Sequence, residues 1–163
     1  MKPVVRSAVQ SAATLVEKHR EVVVLALSTD REELRLSARR FREKGIHNIA
    51  NERDDEAGLA GYVGTALTNL VATPAFWVEH HWQAILAAVV RREATDRALV
   101  SSVLKWLPTY EGPTDAPVFK VQSWQYRAAT KRAEALAEVK AGLTAVRNAL
   151  REVGELAPYE PAT

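Results

Sequence analysis

The chain opens on a helical pattern. Val5, Val9, Ala12 and Val16 recur at steps of four, three and four, which places them on one face of a helix over residues 4–19. Residues 21–28, EVVVLALS, change the rhythm. Three consecutive Val crowd one another's χ1 in a helix, and a run apolar on both faces suits a buried strand. The pattern therefore predicts a strand over 22–27. The alternative is that the first helix runs on, because Val9, Val16, Val23 and Leu27 stay near one stripe. Ser28-Thr29-Asp30 then reads as an N-cap, with Glu32 and Glu33 in the first turn where the helix dipole favours acids. That helix, 30–44, ends at Gly45, a residue suited to the left-handed position after a helix. Residues 46–51 predict a second strand, and 62–71 a third strand or a helix weakened by glycine. The expected architecture is an α-rich α/β protein with a small sheet in residues 20–71 and a helical C-terminal half. An all-α helical bundle is the alternative.

The second half reads more plainly. Thr73-Pro74 starts a helix, because Pro fits the first helical position, and Val78, Trp82, Ile85 and Val89 give it an apolar face over 74–92. A further helix over 95–107 carries Leu99, Val103 and Trp106 and is stopped by Pro108. The stretch PTYEGPTDAP then predicts a linker, giving a core at 1–107, a Pro-rich linker at 108–122 and a long amphipathic helix at 123–156. In that helix Leu136, Val139, Leu143, Val146, Leu150 and Val153 step by three and four. This is an a/d seam, flanked by Ala129, Ala133, Ala137 and Ala145, whose small side chains let another helix approach. The seam predicts packing on the core or on a partner helix.

Composition narrows the classes. The 163 residues are 47% hydrophobic and 26% charged, with no Cys, so disulfides, thiolate catalysis and Cys-based zinc sites are excluded. No apolar run reaches the roughly 18 residues of a membrane span, and Met1 to Arg20 lack a signal-peptide core. A soluble protein is expected, cytoplasmic or otherwise intracellular, with a virion component as a second setting. Net charge is +2, but its distribution is uneven. Residues 31–44 carry Arg31, Arg35, Arg39, Arg40, Arg42 and Lys44. Between Lys120 and Arg151, seven basic residues face only Glu134 and Glu138. A local excess of this kind suits a polyanion, and Arg35, Arg39, Arg42, Lys140, Arg147 and Arg151 are the candidate backbone contacts.

Motifs for chemistry are sparse. His80 and His81 point about 100° apart on a helix, so they do not chelate one metal together. Glu52, Asp54, Asp55 and Glu56 lack the spacing of a calcium loop. There is no phosphate loop, dinucleotide fingerprint or nucleophile elbow, and no cofactor or metal is expected. Arg42-Glu43-Lys44-Gly45-Ile46-His47 has an Arg-x4-His spacing that resembles the active-site motif of HEPN ribonucleases, in which the pair would act on a scissile phosphate. The runs AVQSAATL (8–15), VVVLALSTDREEL (22–34), EKGIHNIANERDD (43–55) and GTAL (64–67) resemble short archaeal-type peptidyl-tRNA hydrolases. That resemblance implies a small α/β fold, with Gln10 matching a helix Gln, Thr65 a strand Thr and Asp54 an acidic loop. The family's opening strand and Gly-Lys loop have no counterpart, and Ala13 stands where the family places a His.

Together these features lead to a non-enzymatic helical binding and assembly protein, similar to a coat or nucleoprotein subunit. It would contact nucleic-acid backbone and self-associate, or bind a partner helix, through Leu136, Val139, Leu143, Val146, Leu150 and Val153. Two other readings stand beside it. One is an RNA hydrolase, degenerate or active, using Gln10, Arg42, His47 or Thr65. The other is an adaptor that binds protein only.

Overall fold

A computed structural model describes residues 1–156. Five helices follow one another: α1 (Pro3–Lys18), α2 (Arg20–Glu43), α3 (His47–Thr68), α4 (Pro74–Trp106) and α5 (Pro117–Glu152), with a short 3-10 turn at Leu107–Thr109. Three of them begin with Pro at the first turn, where the missing N–H costs nothing. Thr73 caps α4, its Oγ1 accepting from the Phe76 N–H at 3.2 Å. Gly45 ends α2 at φ +77°. The N–H of Ile46 reaches back to the Phe41 carbonyl and that of Gly45 to the Arg42 carbonyl, which is the Schellman arrangement.

No strand occurs among the described residues. The sheet expected in residues 20–71 is corrected to the two helices α2 and α3, and the all-α alternative is the architecture found. Residues 22–27 lie in α2, separated from α1 only by a non-helical His19 (φ −113°, ψ 31°). The stripe Val9, Val16, Val23, Leu27 is fully buried, while Val22 and Val24 pack at the core's edge. Burying three β-branched side chains outweighs their weak helix propensity, a few tenths of a kcal/mol each. Asp30 is therefore mid-helix rather than at an N-cap. Residues 46–51 and 62–71 fall in or beside α3. The helices expected at 74–92 and 95–107 are one helix, kinked at His81 (φ −138°, ψ 26°). The last helix begins at Pro117, so the linker is shorter than 108–122.

Helix α4 touches all four others. Helices α2 and α3 form an antiparallel hairpin in which Gly64 lies against Leu27 and Gly61 against Arg31. Helix α5 runs antiparallel to α4 and also carries α1, where Gly142 meets Ala12 and Leu15. The core joins Val5, Val9 and Val16 to Leu27, Val63, Ile85 and Val89, and to the seam of α5.

Candidate functional site

Among the described residues three charged side chains are buried in this apolar interior: Asp30, Glu93 and Asp96. Each needs a cation to offset its desolvation. Asp96, with 0% exposure, accepts from Arg132 Nε at 3.1 Å and Nη2 at 3.0 Å, and from Arg92 Nε at 3.4 Å. Arg92 also donates to Thr29 of α2 at 3.2 Å. Asp30 accepts from Arg91 at 2.6 Å, and Glu93 from Lys140 at 2.5 Å. This ionic layer ties α2, α4 and α5 together. Its carboxylates are engaged by cations, so the layer fixes helix register.

The surface is more telling. At the hairpin end of α4 and α5 the large side chains Leu104, Leu107, Val118, Val121 and Trp124 are exposed, Trp124 to 67%. Between the helices lies an apolar cleft of about 280 Å³ lined by Val103, Leu104, Trp106, Leu107, Phe119 and Tyr126. Trp106, Tyr110 and Phe119 form a cluster of tilted rings at its wall, with centroids 4.9–6.5 Å apart. A second patch lies at the other end of α4. In the connector before it, Leu70 (φ 56°) and Ala72 (φ 55°) adopt left-handed backbone, which costs a non-glycine residue about 1–3 kcal/mol. The strain is held in place from two sides. Trp77 Nε1 donates to the Val71 carbonyl at 2.6 Å, and the Val71 N–H reaches the Ala66 carbonyl at 3.0 Å. The result presents Leu70 and Val71 to water, 63% and 53% exposed, beside exposed Tyr62 and Phe76.

The residues singled out from sequence are dispersed. Leu136, Val139, Leu143 and Val146 are buried in the chain's own core, with Leu150 and Val153 packed at its edge. The seam is thus intramolecular. Lys140 is committed to Glu93. Arg147 is half-buried, with a buried Nε that lacks a hydrogen-bond partner, and Arg151 is half-buried. Arg42 donates to Asn51 at 3.1 Å and to Asp54 at 2.7 Å, and Arg35 and Arg39 are exposed on α2. Gln10 is exposed on α1 and Thr65 on α3, two helices that do not touch. His47 is exposed at the start of α3. Among the described residues no group of three His, Asp or Glu side chains is placed to hold a metal ion, and no helix is long and apolar enough to cross a membrane.

Sequence reasoning missed the two exposed patches and the ionic layer. The signal for the first patch was present, since the hydrophobic positions of 117–126 do not continue the seam that begins at Ala129. The second depends on backbone conformation and left no mark in the pattern. No family model matches the chain, and neither a curated protein nor a solved structure matches it.

Proposed function

We propose that the protein is a non-enzymatic assembly subunit that associates with further copies of itself head to tail. The observation that carries this reading is the pair of different exposed apolar patches at the two ends of α4. Phe76 and Leu104 are 28 residues apart, about 42 Å along the contour of a helix that kinks at His81. Apolar patches of this kind mark interaction surfaces. One is a cleft; the other is a protruding Leu70-Val71 connector held out by strained backbone. Unlike patches at opposite ends give a heterologous contact, which repeats without closing unless a rotation brings the ends together.

The test is sedimentation velocity over a concentration series. The native chain forms a growing set of oligomers. Val71→Glu and Leu104→Glu each stay monomeric, and an equal mixture of the two gives dimers and nothing larger, because each variant keeps one good end. A native chain that is monomeric at every concentration refutes the reading. So does a mixture that fails to pair.

A further inference from the structure

Helix α5 carries a third surface feature, on the outer side of its first four turns. Lys120, Trp124, Arg127 and Lys131 are all exposed. At 3.6 residues per turn they fall within about 60° of one another. The stripe lies away from Tyr126, Ala129 and Ala133, the positions through which this part of the helix packs. None of the three cations forms an ion pair among the described residues, and Arg127 donates only to Ser123 Oγ, at 3.1 Å. Among the described residues Trp124 stacks on no other ring. Arg42, Arg91, Arg92, Arg132 and Lys140 behave differently, each held by a carboxylate, whereas the exposed Arg35 and Arg39 of α2 share their helix with Glu32, Glu33 and Glu43. The stripe is therefore an unneutralised row of charge about 16 Å long, with a bare indole in its middle and its acid-free run closed by Glu134.

We infer that this stripe binds single-stranded nucleic acid, with Lys120, Arg127 and Lys131 on successive phosphates and Trp124 stacked on a base. The charge complementarity points to a polyanion, since three free cations in line match a phosphate backbone and repel a basic partner. The exposed indole selects the single strand. A duplex keeps its bases stacked inside, whereas an unpaired base offers its π-face to an aromatic side chain without sequence preference. The stripe shares Trp124 with the rim of the first apolar patch, but Trp124 does not line the cleft and the Leu70-Val71 connector lies at the other end of α4, so the stripe is open in the monomer.

The experiment is fluorescence anisotropy with labelled oligothymidylate and oligouridylate, and with a DNA duplex of equal length, over a salt series. Val71→Glu is the parent chain, so that assembly does not enter. The single strands bind with a Kd on the order of 10⁻⁴–10⁻⁶ M at physiological salt, and log affinity falls with log salt at a slope of about −2, as three phosphates on a single strand require. Trp124→Ala weakens single-strand binding roughly 5- to 150-fold, leaves the salt slope unchanged and leaves duplex binding as it was. The triple variant Lys120→Ala, Arg127→Ala, Lys131→Ala removes the salt-dependent part. All four side chains are exposed, so circular dichroism of the variants matches the parent. Absence of binding at low salt overturns the inference. So does a triple variant that binds like the parent, or binding to anionic vesicles without binding to oligonucleotides. Because assembly is blocked in the parent chain, failure here leaves the head-to-tail reading untouched, and failure of that reading leaves this one testable.

Discussion

The buried ionic layer makes the sharpest test of the fold, and Asp96 is its centre. Replacing Asp96 with Asn keeps the side chain's shape and removes its charge. Arg132 and Arg92 then lose their shared counter-charge and one of its two acceptor oxygens, yet their side chains are 23% and 18% exposed, so water recovers part of their solvation. Replacing Arg132 with Met leaves the opposite remainder, a carboxylate at 0% exposure held only by Arg92 at 3.4 Å. Breaking a buried pair costs about 3–5 kcal/mol. Asp96→Asn belongs at the low end of that range and Arg132→Met at the high end, because the charge left behind by the second has no route to water. For a chain of this length those losses lower the melting temperature by roughly 6–20 °C. The double variant Asp96→Leu, Arg132→Met removes the closest pair and leaves Arg92, 18% exposed and bonded to Thr29, to reach water, so it recovers most of the loss seen in Arg132→Met, since an apolar replacement of a buried pair is often neutral or better. Urea denaturation followed by far-UV circular dichroism measures all three. If Asp96→Asn and Arg132→Met each lie within about 1 kcal/mol of native, or if the double variant is the worst of the set, the layer is not a desolvated network and the reasoning fails.

Two further outcomes concern the α1–α5 contact. Glu138 accepts from His19 Nε2 at 2.5 Å and from Lys18 Nζ at 3.4 Å, and the His19 hydrogen bond, with Lys18 behind it, holds its carboxyl below the ordinary value. A depressed carboxylate stabilises the fold above its unfolded pKa and loses that contribution as pH falls through the folded one. The stability difference between native protein and Glu138→Gln is therefore present above about pH 4.3 and shrinks as the pH falls below it; a difference that persists unchanged into strong acid contradicts the assignment. At Gly142 an added Cβ would lie 2.8 Å from Leu15 Cδ1 and 3.3 Å from Ala12 Cα. Leu15 can turn aside, but the α1 backbone cannot, so Gly142→Val costs about 1–3 kcal/mol by overpacking, and a Val variant as stable as native in urea shows that α1 is free to shift.

Local pattern carried a definite share of this. The step of three and four through Leu136, Val139, Leu143 and Val146 placed a helix and its buried face correctly, because that face is apolar without interruption. Thr73-Pro74 and Gly45 marked helix ends through backbone chemistry that needs no neighbours. For residues 22–27 the pattern differs from the structure for a physical reason: a run of Val is consistent with a strand or with a helix covered on a wide face, and only the neighbours decide. Here α3 and α4 cover one face of α2, so Val23 is buried and Val22 and Val24 pack at its edge, while Leu25 stays exposed. The seam of α5 likewise states that something covers it, and tertiary structure supplies α1 and α4 in place of a second chain. Pairings such as Asp30 with Arg91 and Asp96 with Arg132 join residues 61 and 36 positions apart, a distance across which periodicity conveys nothing. The same holds for cations. In sequence, Lys140 and Lys131 are equivalent basic residues on one amphipathic helix. The fold spends the charge of Lys140 on buried Glu93 and leaves Lys131 in water, because whether a charge is free depends on what faces it, and what faces it is set by the packing of helices far apart in the chain.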